Sequence, residues 1–421
     1  MNESNSQLRL LEHGVYSIPE GWSLSKVKYL ADYINGYPFK PDDWGEIGKP
    51  ILRIQNLSDP TGIANKYDGT LSEGYLVRTG DLLISWSASL GVYEWQGEEA
   101  WLNQHIFKVS LHKEKVTKPY FKWLAEWFIT ELAKDAHGST MQHLTKDAFG
   151  SFPLLLPLQE VQTRIALFLD FETARIDLLI ATKQNILNLL AEKRRALITS
   201  AVTRGINPKV KLKDSGFSWL GEVPEHWDIE RSKWLFKERD IRSEFGDEEL
   251  MTVSHLTGVT TRAEKNVNMF KAESQEGCKI CERNDLVINT LWAWMGAMGV
   301  SPQRGIVSPA YNVYEPCDKL DPSYVDYLVR MPIFAQEAIR FSKGVWSSRL
   351  RLYPEGLYEI WFPVPPIEEQ KAIAEYLAVE ATKIDALQEA TGRTIALLRE
   401  RRTALISAAV TGKIDIRGEF T

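Results

Sequence analysis

The stretch "RRALITSAV" at Arg194–Val202 returns as "RTALISAAV" at Arg402–Val410. Extended on both sides, "EKRRALITSAVTRGI" (Glu192–Ile206) and "ERRTALISAAVTGKI" (Glu400–Ile414) agree at nine of fifteen positions without a gap. The same offset of 208 residues carries back through "QTRIALFLDFETARIDLL" (Gln162–Leu179) and "QKAIAEYLAVEATKIDAL" (Gln370–Leu387), where Gln, Ile, Ala, Leu, Glu and an Ile-Asp pair coincide. Prolines precede each block, in "PLLLPLQE" from Pro153 and "PVPPIEE" from Pro363. Proline stops a strand and suits a first helical turn, so both blocks have a defined start.

Apolar residues recur at intervals of three and four within both blocks. In the first they are Val161, Ile165, Phe168, Leu169, Ile176, Leu179, Ile186, Leu187, Leu190, Leu197 and Val202. In the second they are Ile373, Leu377, Ile384, Leu387, Ile395, Leu398, Leu405 and Val410. That period predicts a helix with one buried stripe or a coiled-coil seam. A continuous helix from Gln159 to Val202 is roughly 66 Å long at about 1.5 Å per residue. The candidate partner of matching length is its own repeat, so the two helices are expected side by side, with Gly392 a soft point in the second. Leu197, Ile198 and Val202 are then expected to face Leu405, Ile406 and Val410, and the arginines of the stretch to face solvent or a partner.

A chain of 421 residues that is 44% hydrophobic exceeds the size of a single core and predicts two or more domains. It has no uninterrupted apolar run of about 18 residues, and "MNESNSQLRLLEHG" lacks the basic start and apolar run of a signal peptide, so the expected compartment is the cytoplasm. Cys278, Cys281 and Cys317 form no disulfide framework, and a single Cys-x-x-Cys is a weak zinc signal. The net charge of −6 argues against nonspecific coating of nucleic acid, which favours a basic balance. Residues 157–206 carry seven Lys or Arg against five Asp or Glu, while residues 1–156 carry fifteen against nineteen. Any DNA-facing surface must be local.

A longer mixed segment precedes each block. The first opens with "IPEGWSLSKVKYL" (Ile18–Leu30) and the second with "VPEHWDIERSKWL" (Val223–Leu235). Strand-like runs follow: "PILRIQNL", "GDLLISWS" and "HIFKVSL" in the first, "LMTVSHL", "NDLVINTLW" and "PAYNVYE" in the second. "KPYFKWLAEWFITELAKDA" and "DPSYVDYLVRMPIFAQEAIRF" read as helices. The predicted order is head, long helix, head, long helix. The boundaries are 1–156 for the first head, 157–206 for the central helix, 207–365 for the second head with a lead-in linker at 207–222, and 366–421 for the last helix and tail.

The chain holds no phosphate loop, dinucleotide fingerprint, His-Glu-x-x-His or Gly-x-Ser-x-Gly. Nor does it hold an Asn-Pro-Pro-aromatic stretch, and Glu369-Gln-Lys371 sits at a helix start, where its charges suit the helix terminus. Catalytic and metal-ligating residues are therefore expected to be absent. Polar and aromatic residues gather between the strands instead. In the first head these are Arg53, Gln55 and Asn56; Ser85 and Ser87; Gln104 and His105; then Ser139, Thr140, Gln142, His143 and Lys146. In the second they are Ser254, His255 and Thr257; Trp292; Tyr311 and Asn312; then Ser347, Ser348, Arg349 and Arg351. Gln and Asn bond adenine edges in two places, Arg bonds guanine likewise, and Ser, Thr and Lys suit phosphates.

The pattern resembles the specificity subunit of type I restriction–modification enzymes over essentially the whole chain. "PLQEVQTRIALFLDFETARIDLL" and "PPIEEQKAIAEYLAVEATKIDAL" are similar to the family's repeated Pro-x-x-Glu-Gln helix starts, with Val161 standing as one inserted residue in the first. "LLAEKRRALITSAVTRGI" and "LLRERRTALISAAVTGKI" resemble its helix ends, and "DSGFSWLGEVPEHW" (Asp214–Trp227) its lead-in to a recognition domain. "HGSTMQHLTKDAF" and "GIVSPAYNVYEP" are similar to segments inside such domains. The resemblance implies an α+β fold: two mixed α/β target recognition domains separated by two long conserved helices that form an antiparallel coiled coil, in a pseudo-two-fold internal repeat. It implies a non-catalytic chain that reads a bipartite asymmetric site on double-stranded DNA, with two modification subunits and, in the full complex, restriction subunits. S-adenosylmethionine, ATP and Mg belong to those partners, no cofactor to this chain, and no membrane is involved. A recognition subunit of a differently organised restriction–modification system and a coiled-coil assembly scaffold stand as the alternatives.

Overall fold

Both repeated blocks form single helices, Gln159–Arg204 of 46 residues and Ile367–Val410 of 44. The second runs uninterrupted through Gly392, where a Cβ would meet nothing within 4 Å. The computed structural model describes residues 10–11, 15–58, 62, 65–87, 90–135, 146–264, 275–344 and 350–414. Its residues gather into two units, Met1–Gln184 with Arg393–Thr421, and Asn185–Gly392. Each unit thus holds one head, the first half of the helix that leaves it, and the last half of the other helix.

In the first unit, Ile165, Ala166, Phe168 and Leu169 near the start of the first long helix share a core with Ile406, Ala409 and Val410 near the end of the second. Further along, Arg402 Nε lies 3.1 Å from Asp177, so the two segments are antiparallel. The second unit repeats the arrangement: Ala201 and Val202 share a core with Ile373 and Leu377, and Arg194 pairs with Asp385. The arginine that opens each copy of the repeated stretch, Arg194 or Arg402, is therefore tied to the aspartate of the other block's Ile-Asp pair. Arg402 is bound a second time, by Glu126 of the helix Lys118–Asp135, at 2.5 Å.

Two expectations are corrected here. Leu197, Ile198 and Val202 pack into the second unit's core, while Leu405, Ile406 and Val410 pack into the first unit's. A period of three and four specifies an apolar stripe, not the surface that covers it. Leu179 and Leu387, placed in the seam by that period, are exposed.

The helix starts are pinned by a pair of glutamines. Buried Gln162 accepts from the Thr117 amide at 2.9 Å through Oε1 and donates to the Lys115 and Pro157 carbonyls at 2.8 and 2.9 Å through Nε2. Buried Gln370 accepts from the Asp321 amide and donates to the Lys319 and Pro365 carbonyls, all at 2.8 Å. Each side chain satisfies three main-chain groups that burial would otherwise leave unpaired. The identical pattern five residues after Pro157 and Pro365 shows that Val161 is no insertion. It occupies the position of Glu369, which binds His226 Nε2 at 2.8 Å in the second unit, while Val161 packs against the first core.

The helix ends explain the shared "PE-x-W" lead-ins. Gly205 adopts φ +75, and a Cβ on it would lie 3.4 Å from Trp227 and 3.9 Å from Pro224. Gly412 adopts φ +71, with Pro19 Cγ at 2.5 Å and Trp22 at 3.2 Å from the same virtual atom. A helix closed by a left-handed residue favours glycine, and at Gly412 the Pro-Trp surface also leaves no room for a side chain, whereas at Gly205 the Pro-Trp surface lies at ordinary contact distance. Gly412→Val is expected to lower the first unit's stability by about 2 kcal/mol or more through backbone strain and the clash. Urea unfolding checks this, and an unchanged midpoint would count against the packing.

The heads share a framework. In the first, Trp22–Lys26 pairs antiparallel with Pro153–Pro157, and a four-stranded antiparallel sheet runs in the order Ala31–Asn35, Ile106–Leu111, Leu82–Ser85, Gly91–Glu94. In the second, Asp228–Arg231 pairs with Trp361–Val364, and the matching sheet runs Phe236–Glu238, Asn312–Pro316, Leu286–Ile288, Met298–Val300. Beyond this sheet they diverge. The first head adds a second four-stranded sheet, whose strands Lys49–Leu52 and Ala100–Leu102 are parallel, and the second adds two strand pairs, Met251–Ser254 with Gly258–Thr261 and Lys279–Cys281 with Gly305–Val307. The stretch expected as one helix from Asp321 is two, Pro322–Val329 and Pro332–Arg340, because Pro332 cannot continue the first.

Candidate nucleic-acid interface

"PILRIQNL" reads as one strand, yet the strand ends at Leu52 and Ile54–Ser58 is helical. Arg53 sits at the break. Its amide donates to Asn56 Oδ1 at 3.2 Å, and Asn56 is buried, so this asparagine shapes the turn and is not offered at the surface. The Arg53 guanidinium stacks on Trp44, 4.0 Å from the ring centroid, and among the described residues its Nε has no hydrogen-bond partner. Gln55 is exposed beside it. Arg53, Gln55, Asn103 and His105 line one cleft of about 190 Å³. His105 is half-buried, its ring 5.4 Å from Trp86, with Nδ1 buried and unpaired among the described residues.

The remaining first-head candidates separate by burial. Gln104 is half-buried, and its amide donates to Asn103 Oδ1 at 2.6 Å. Ser85 and Ser87 are buried, with the Ser85 hydroxyl donating to the Ser87 carbonyl at 3.4 Å. Both belong to the framework, because the strand Leu82–Ser85 is covered on both faces. Ser139, Thr140, Gln142 and His143 lie outside the described residues, as does the Lys146 side chain at the start of the helix Lys146–Ser151.

In the second head, Trp292 is half exposed and stacks on Trp294 at 6.2 Å and 17°. Asn289 donates to the Tyr311 hydroxyl at 2.9 Å, and burial raises that hydroxyl's pKa above its ordinary value. Thr290 donates to the Ala310 carbonyl at 2.7 Å, and its own carbonyl accepts from Leu352 at 3.4 Å, bringing the Trp292 turn against the stem of the 343–351 loop. Arg351 is exposed on that stem and exchanges backbone hydrogen bonds with Lys343. Ser347, Ser348 and Arg349 lie outside the described residues. Asn312 is buried and accepts from buried Lys279 at 3.3 Å, so it satisfies an interior ammonium.

Ser254, His255 and Thr257 occupy a separate turn. The Ser254 and Thr257 hydroxyls are 3.0 Å apart, and Arg330 donates to the Leu256 carbonyl at 3.0 Å. His255 and Thr257 are exposed there, and Thr257 borders a groove of about 630 Å³ shared with Asp326, Arg330 and Lys371. Two clusters therefore emerge, Arg53–Gln55–His105 in the first head and Trp292–Tyr311–Arg351 in the second. Sequence reasoning missed Trp44, which follows Pro-Asp-Asp in a loop with no periodic signal, and Lys343, which is paired through its backbone. Among the described residues no helix is long and apolar enough to cross a membrane.

Comparison with known proteins agrees with this architecture. The family described as type I restriction modification DNA specificity domain matches residues 19–189, the first head and most of its helix. The chain is 21% identical to the type I restriction enzyme EcoBI specificity subunit of Escherichia coli, over 98% of this chain and 91% of the relative. It is 24% identical to the MjaVIII specificity subunit of Methanocaldococcus jannaschii, over 96% and 95%. Among solved structures, a chain from work on assembly and conformational transition of a type I R-M system superposes with a TM-score of 0.71 at 15% identity, covering 95% of this chain and all of the other. The HsdS subunit from Thermoanaerobacter tengcongensis gives 0.54 at 15% identity, covering 95% and 99%. With its two heads on one duplicated pair of helices, the chain is similar over nearly its whole length to specificity subunits of type I restriction–modification systems, and its first head matches the DNA specificity domain of that family.

Proposed function

We propose that this chain reads a bipartite, asymmetric sequence in double-stranded DNA, one half with each head, and directs adenine methylation or restriction by partner subunits. The observation that carries the reading is the contrast between the heads: the same framework sheet and helix attachment support two different surface clusters. A duplicated frame with divergent clusters suits two unlike half-sites. Arg53, Gln55 and His105 serve the first, and Trp292, Arg351 and the exposed turn at His255 and Thr257 the second. Base edges in the major groove supply specificity, and phosphate contacts fix register. The chain itself is non-catalytic in this reading, which its lack of nucleotide-binding and methyltransferase motifs supports. S-adenosylmethionine, ATP and Mg act in the partners, where the target adenine is flipped.

The long helices support two equivalent modification subunits. Exposed apolar residues recur at the 208-residue offset: Phe171 with Val379, Leu179 with Leu387, and Leu189 with Leu397. Apolar side chains repeated on a solvent face mark an interaction surface, and repetition suits two copies of one partner.

The test is methylated-base mapping of a randomised duplex library treated with the chain and its modification subunits. The expected result is one two-part motif with a fixed spacer. Arg351→Ala is expected to weaken or relax one half alone, by roughly 10-fold for a lost base contact. A motif with no second half, or equal loss in both halves, would contradict the reading.

A further inference from the structure

The first head's cleft holds one cation in an unusual setting. Trp44, itself 41% exposed, covers one face of the Arg53 guanidinium. Among the described residues no carboxylate is paired with Arg53, and its Nε is out of water with no acceptor. Elsewhere in the same head, ion pairs occupy Lys49 with Glu99, Arg78 with Glu73 and Glu99, Lys108 with Asp81, and Lys118 and Lys122 with Glu94. Arg53 is left as a planar donor whose orientation is set by an aromatic ring. The rest of the cleft is neutral: Gln55, Asn103, and His105, whose Nδ1 is also unpaired.

We infer that Arg53 reads a guanine in the half-site of the first head, with Trp44 as the positioning residue that holds its guanidinium for the O6 and N7 acceptors. This rests on the DNA-reading role proposed above. A guanidinium is rigid, and its parallel N–H groups match the two major-groove acceptors of guanine. Stacking on an indole removes much of the rotational freedom that an exposed arginine loses on binding, so discrimination increases. A phosphate contact needs no such orientation, and lysine serves it equally well as a point charge. The neutral lining favours a base edge over the polyanionic backbone.

The experiment uses the complex with modification subunits on the randomised library, comparing wild type with Arg53→Lys, Trp44→Tyr and Trp44→Leu. Wild type is expected to require guanine at one position of one half-site. Arg53→Lys and Trp44→Leu are expected to lower the preference for that guanine on the order of 10- to 100-fold, leaving the other half-site intact. Trp44→Tyr keeps an aromatic face and is expected to retain most of the preference. Thermal unfolding of each variant separates loss of reading from loss of folding. Uniformly weaker methylation with an unchanged motif would make Arg53 a phosphate contact and overturn the inference, as would full preference in Trp44→Leu. Wild type lacking any bipartite motif would instead defeat the DNA-reading role itself.

Discussion

Replacing Gln162 with Leu is expected to destabilise the first unit by on the order of 3–5 kcal/mol. The side chain is fully buried and serves the Thr117 amide and the carbonyls of Lys115 and Pro157. Leucine fills similar space but leaves a donor and two acceptors inside the protein without partners, at about 1–3 kcal/mol for each group that water cannot reach. Gln162→Glu is expected to do at least as much harm, since a carboxylate oxygen would then oppose the two carbonyls. Gln370→Leu is the internal control, because its three bonds are the same and lie in the second unit. Hydrogen exchange followed peptide by peptide assigns each loss to its unit. A cost below about 1 kcal/mol would mean that these glutamines do not pin the helix starts.

Deleting residues 393–421 is expected to unfold the first head while the second stays protected. That segment contributes Ile406, Ala409 and Val410 to the first core and Arg402 to Glu126 and Asp177. Burying an aliphatic side chain of that size stabilises by about 1.5–3 kcal/mol, so the two larger residues and the surface they cover account for roughly 5 kcal/mol. A domain's whole margin is about 5–15 kcal/mol. Arg402→Ala alone is expected to cost about 1 kcal/mol, since its ion pairs are partly exposed. The second unit's core is built from Ala201, Val202, Ile373 and Leu377, none of which is removed. Unchanged protection across Lys118–Asp135 after the deletion would refute the shared core.

Much of this architecture was legible as repetition. A 208-residue offset that keeps apolar spacing, two proline-led starts and an Ile-Asp pair is enough to predict two heads and two long helices lying side by side, whereas their antiparallel direction follows only from the resemblance to a known family. Strands such as Leu82–Ser85, Ile106–Leu111 and Asn312–Pro316 follow from β-branched and aromatic runs bounded by turn residues. These features are local, set by backbone preference and periodicity within a few residues.

Other features depend on contacts between residues far apart in sequence, and periodicity carries no information about them. Ser85, Ser87, Asn56 and Asn312 have the composition of a recognition loop but are buried in the folded heads. Trp44 acquires a role only because the fold lays it on Arg53. The repeated stretch that ends each long helix shows the same division: its apolar period specifies that Val202 and Val410 are buried, whereas folding selects the core that receives each. Val202 closes the second head and Val410 the first, since a helical stripe gains equally from any complementary apolar surface and the chain's path determines which one it meets.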